Sequence, residues 1–210
     1  MKTYFAFIHN TQEFLLAISV ILLATLPATL VLRPEWFSDV TYFWLYAVAH
    51  FTLFLVMLVR PLADIFRGVK WIRPLVILRK GFGVLSASII VSFLLAKIIA
   101  DASGYFASIA TSGYWSLENL TLFAHLADIS AVILLVTSNT LSKQLLGKNW
   151  KRIQKLSYVY FYASAFYVFF ILGEALVMIY VVIVTIFTVL AWLRNHGYIL
   201  QTSNSNLASA

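Results

Sequence analysis

The sequence predicts an all-α integral membrane protein, a bundle of six transmembrane helices, and three observations predict it. Of its 210 residues, 62% are hydrophobic and only 11% charged, more apolar surface than the interior of a soluble domain of this size can hide. The apolar residues fall into six runs of roughly 17 to 20 residues, each long enough to cross a hydrocarbon core about 30 Å thick as a helix. The basic residues are sorted between alternate loops, as loops on opposite sides of a bilayer are.

In chain order the spans are 14–32, 42–59, 82–100, 120–137, 156–173 and 175–193. The first run is too long for a signal-peptide core and is preceded only by Lys2, so no cleavable signal is expected. Pro27, in its last third, is a place to kink or end that helix. The fifth run, LSYVYFYASAFYVFFIL, is rich in aromatic residues. Between spans two and three, Phe66, Trp71 and Ile72 alternate with basic residues, the pattern of a short interfacial helix. The loop between spans three and four is rich in Gly, Ser and aromatics and is expected to pack over one end of the bundle. All six spans form one domain, residues 1–200, and the polar, low-complexity residues 201–210 read as a disordered tail.

Six spans put both termini and the second and fourth loops on one side. That side carries Lys2, Arg60, Arg67, Lys70, Arg73, Arg79, Lys80, Lys143, Lys148, Lys151, Arg152, Lys155 and Arg194, thirteen of the fifteen Lys and Arg. The other side has Arg33 and Lys97, and gathers Glu35, Asp39, Asp101, Glu118 and Glu174. The positive-inside rule then makes both termini cytoplasmic, in a bacterial inner membrane. The net charge of +7 is explained by this sorting, and nucleic acid is not an expected partner. The bilayer is. There are no cysteines, which excludes disulfides, thiolate-ligated haem and a thiol nucleophile. No dinucleotide, phosphate-loop or zinc-protease motif is present, so no catalytic residue, metal site or enzymatic activity of the chain's own is expected.

Four short stretches fall in register with a known family. Arg60-Pro61-Leu62-Ala63 closes the second span, Arg79-Lys80-Gly81-Phe82-Gly83 opens the third, and Thr137-Ser138 ends the fourth. Leu146-Gly147-Lys148-Asn149-Trp150-Lys151-Arg152-Ile153-Gln154 then leads into the fifth, with Tyr158 following. Over residues 40 to 195 this resembles the ferric-reductase-like transmembrane domain family, most closely the haem-binding membrane subunits of bacterial methionine sulfoxide reductase systems (the MsrQ type). The resemblance implies a six-helix electron-transport subunit holding haem b between helices three and five. Its ligand histidines correspond here to Phe93, Gln154 and Tyr167, and helices three and five contain no His. The expectation is therefore a haem-less accessory subunit, an anchor or assembly scaffold in a larger membrane or redox complex. The alternative is a haem-b electron-transfer subunit, fed by quinol or a cytoplasmic reductase, with relocated ligands.

The candidates for relocation are His50 and His125, the two histidines inside spans, at outer-side depths that differ by about 5 Å at 1.5 Å rise per residue. Asp128 lies three residues after His125 on the same helix face, so the two form a candidate buried polar pair. Such a pair can orient an iron-ligating imidazole, relay protons, contact a quinone headgroup or satisfy itself. Lys97 is expected to reach the outer interface or pair with Asp101. His9, Glu13 and His196 are expected at the cytoplasmic interface.

Overall fold

A computed structural model describes residues 2–117 and 120–198. Glu118 and the tail 201–210 lie outside the described residues. The described chain is helical throughout: α1 (Lys2–Leu32), α2 (Asp39–Ile65), α3 (Ile72–Leu75), α4 (Leu78–Ala100), α5 (Ala102–Ile109), α6 (Thr121–Thr137), α7 (Thr140–Leu146), α8 (Lys148–Ile153), α9 (Leu156–Leu172) and α10 (Ala175–Asn195), with short 3-10 turns at Pro34–Trp36 and Ser112–Trp115.

Five segments are long and apolar enough to cross a membrane: α1, α2, Ile72–Ala100, Lys148–Leu172 and α10. The 17-residue α6 reaches that standard only together with α7, from which it is bent by 96°. The count is thus five to six. Asn139 explains the bend: its side chain accepts from Ser142 N at 2.7 Å and caps a new helix just past the end of α6. The turn from α7 into α8 rests on Gly147, at φ +50° and ψ −121°, a backbone region that only glycine enters without strain.

Two element boundaries differ from the sequence expectation. Helix α1 begins at Lys2, twelve residues before the apolar run, because nothing in KTYFAFIHNTQE breaks a helix and Ile8 is buried on its inner face. Its first turn is held by Tyr4, whose hydroxyl donates to the Trp71 carbonyl at 2.8 Å. Pro27 neither ends nor interrupts α1. Helix α2 likewise runs through Pro61 to Ile65. The interfacial helix expected between spans two and three is present only as the four-residue α3.

Helix α4 is central, packing against α1, α2 and α6; α9 packs against α6, α10 and α2, and α10 closes against α2. Small residues let α4 take this position: Gly81, Ser86, Ala87, Ser88 and Ser92 are all buried. A Cβ on Gly81 would stand 3.1 Å from Leu15 Cβ and Cδ1, so α1 approaches α4 more closely there than a side chain allows. The main core joins Leu53 and Met57 of α2, Ala87 and Val91 of α4, Ala131 of α6, Phe161 of α9 and Val184 of α10. At its middle the buried hydroxyls of Ser86 and Tyr160 bond at 2.9 Å, linking α4 to α9. The outer surface is largely apolar, with Val20, Ile21, Ile179, Val182, Ile186 and Val189 each about half exposed or more, as lipid-facing positions are.

Hydrogen bonds also gather three pieces at one end of the bundle. Tyr4 bonds to Trp71, and Arg67 donates to the side chain of Asn195 at the end of α10. Both ends of the described chain therefore share that end with the α2–α4 connection.

Candidate functional site

Three places in the bundle hold the residues that the sequence singles out. The first comprises the positions where the resembled family has histidines. Phe93, on α4, stacks on Tyr46 of α2 with ring centres 4.6 Å apart and planes 10° off parallel, and a second α2 ring, Tyr42, lies 6.0 Å away. Tyr167 packs against the cluster of Ala165, Val168 and Val177. Gln154 sits at the junction of α8 and α9, where its Nε2 donates to Thr137 Oγ1 at 3.4 Å while Trp150 Nε1 donates to the Thr137 carbonyl at 2.9 Å. Gln154 and Trp150 thus tie the basic α7–α8 segment to the end of α6. This arrangement does not fit a haem held between α4 and α9. Phe93 has no donor atom, and Gln154 is turned to the end of α6, where its Nε2 bonds to Thr137.

The second place is a cavity of about 220 Å³ where α5 and the Ser112–Trp115 turn cover the outer ends of α4 and α6. Both His125 and Asp128 line it, together with Tyr105, Tyr114 and Trp115. The structure brings the expected pair into one cavity, but among the described residues no hydrogen bond joins them. The imidazole is sandwiched instead. Tyr114 stacks on it with ring centres 3.4 Å apart and planes 7° off parallel, and Trp115 meets it edge-on at 5.9 Å. His125 Nδ1 is buried without a hydrogen-bond partner among the described residues. Tyr114 also donates to Tyr105 Oη at 3.3 Å, and burial together with that bond holds the Tyr114 phenol well above its usual range.

The third place surrounds His50. Its Nδ1 lies 2.8 Å from the Tyr46 carbonyl. A carbonyl can only accept, so Nδ1 carries the proton and Nε2 keeps its lone pair. Nε2 is buried and has no partner among the described residues. The ring lines a cavity of about 120 Å³ between α2, α9 and α10, together with Phe43, Tyr46, Glu174, Val177 and Tyr180. The two span histidines therefore belong to different cavities, one against α9 and α10 and the other against α4 and α5. The structure does not bring them to a common centre.

The remaining charged candidates sit at the ends. Asp101 does not pair with Lys97. Its Oδ1 accepts from Gly104 N at 2.9 Å and from Ser103 Oγ at 3.0 Å, which makes it the N-cap of α5, and these bonds hold its carboxyl below the usual carboxylate range. Lys97 is exposed, as a side chain reaching for the interface would be. His9 and Glu13 are exposed on α1, and His196 is exposed with its Nδ1 2.9 Å from the Trp192 carbonyl. Among the described residues no three His, Asp or Glu side chains converge as a metal-ligating group.

The Ser86–Tyr160 bond and the Gln154–Thr137 tie were not foreseen from sequence. A hydroxyl-bearing residue in an otherwise apolar span, such as Tyr160, is the one signal that pointed to the former. No family model, curated protein or solved structure matches this chain.

Proposed function

We propose that the chain is a haem-less accessory subunit, an anchor or assembly scaffold for a larger membrane complex with redox or respiratory work, with no catalytic activity of its own. The observation that carries this reading is the filling of the three positions at which the resembled family holds haem ligands. Phe93 is stacked into an aromatic cluster, Tyr167 is packed against α10, and Gln154 serves as a tie between α8 and α6. A scaffold also needs surface to offer. Helix α10 buries fully only Val177, Val184 and Ala191, and leaves Leu176, Ile179, Val182, Ile186, Val189 and Trp192 about half exposed. In the membrane we place the end that carries thirteen of the fifteen cations on the cytoplasmic side of a bacterial inner membrane, with both termini there.

One observation favours the haem-carrying alternative. His50 has its ring fixed by the Tyr46 carbonyl and Nε2 left open, the arrangement that fixes tautomer and ring orientation in metal-ligating histidines. His125, the other histidine inside a span, lines a different cavity and does not pair with it.

The scaffold reading is tested with a photocrosslinking residue placed at Ile186 in the tagged full-length chain, in native membranes. A single adduct of fixed mass that forms at Ile186, but not at the buried Val184 control, is the expected result. Crosslinking to lipid alone from every exposed position of α10 would remove the basis for a scaffold.

A further inference from the structure

The unpartnered nitrogen of His50 has a consequence beyond a scaffold role. A buried acceptor with no donor costs free energy, and among the described residues none donates to His50 Nε2. Nδ1 is committed to the Tyr46 carbonyl, so Nε2 can accept but not donate. The cavity it lines is otherwise apolar and aromatic, with Phe43, Tyr46 and Tyr180 in its walls. Phe43, Leu172 and Leu176, also in the lining, are each about half exposed, so apolar side chains flank the cavity on the surface of the bundle. At about 120 Å³ it is somewhat smaller than the ~150 Å³ apolar cavity that takes up benzene, and one ring or a short chain segment fills it.

From this geometry we propose that the cavity between α2, α9 and α10 is a binding site for a neutral, lipid-soluble molecule that carries a hydroxyl group, with His50 Nε2 accepting from that hydroxyl. The occupant arrives through the bilayer. Its apolar body lies among Phe43, Tyr46 and Tyr180, and its hydroxyl reaches the floor of the cavity. A ligand whose only polar atoms are carbonyl or ether oxygens leaves Nε2 as unsatisfied as the empty cavity does. An anionic headgroup finds no Lys or Arg in the lining to pair with and meets the Glu174 carboxyl there instead.

The test uses full-length protein labelled with ¹⁵N-histidine in detergent micelles, titrated with 4-pentylphenol, with its methyl ether, and with 1-octanol. The chain has four histidines, and the signal missing from a His50→Phe variant identifies His50. The expected result is a saturable movement of the His50 Nε2 resonance with a hydroxyl ligand, and about tenfold weaker binding of the methyl ether, the loss expected for one hydrogen bond to a buried acceptor. Stronger binding of the phenol than of the alkanol identifies an aromatic hydroxyl as the natural class, and the reverse order an aliphatic one. Equal response to phenol and ether, or an Nε2 resonance that no ligand moves, overturns the proposal and leaves water in the cavity. If the variant fails to fold, the wild-type phenol-against-ether comparison decides alone, because only His50 of the four is buried beside this cavity.

Discussion

Tyr160 carries a hydroxyl into the most crowded part of the bundle, and Ser86 is the group that makes this tolerable. Replacing one partner leaves the other buried without a bond, which costs about 1–3 kcal/mol, whereas replacing both is far milder. Tyr160→Phe and Ser86→Ala are each expected to lower thermal stability in detergent, and the double variant is expected to lose less than the sum, as a double-mutant cycle will read out. At the end of α4, Asp101 sets a pH dependence. Its folded carboxyl is held below the ordinary value by Gly104 N and Ser103, so its contribution to α5 is fully present above pH ~4 and is lost as pH falls through the lower, folded value. The protection of the Gly104 amide, its exchange rate measured against the intrinsic rate at each pH, is expected to fall over that acid range in the native chain, and to show no such step in Asp101→Asn. Residue type alone shows which side chains are out of place in a span, such as His50, His125, Asp128 and Tyr160. It does not show their partners. The sequence reading joined His125 to Asp128 because they lie three residues apart, but the ring that reaches His125 is Tyr114, from a turn eleven residues upstream whose path no periodicity specifies.

Helices α1 and α4 meet where Gly81 faces Leu15, and that contact sets how α1 is held. Gly81→Val places branched atoms into a gap already closed to 3.1 Å, and overpacking of this kind costs about 1–3 kcal/mol. The expected outcome is a lowered melting temperature with loss of a Leu15–Gly81 region crosslink, while Gly83→Ala, whose Cβ would stand an ordinary 3.6 Å from Val56, leaves both unchanged. The ends of the last four spans were legible to within a few residues because hydropathy changes abruptly there, and Asn139, Gly147 and Gly173 lie close by. The start of α1 was not, because the stretch 9–13 breaks the apolar run without breaking the helix. The 96° bend at the end of α6 was equally hidden: it comes from a cap at Asn139, a local hydrogen bond rather than a loss of apolar character.

At the scale of the whole molecule, one end of the bundle collects the first turn of α1, the α2–α4 connection and the end of α10, held together by Tyr4, Trp71, Arg67 and Asn195. Most of the cations lie in the segments at this end, and the acidic cap Asp101 lies at the other. The family resemblance rests on the loop motifs, and two of them have a structural role in the bundle. Arg79 Nε donates to the Val56 carbonyl at 2.9 Å, joining the start of α4 to α2 one turn from Pro61, while Trp150 and Gln154 lock α8 to α6. The motifs therefore do bracing work that needs no iron. The central claim is that a bundle braced in this way carries no haem, and an optical spectrum of the purified full-length chain, oxidised and dithionite-reduced, with a pyridine haemochrome assay, tests it most directly. The account predicts a colourless protein without a Soret band. A Soret band at near one haem per chain, abolished by His50→Ala or His125→Ala, would contradict it.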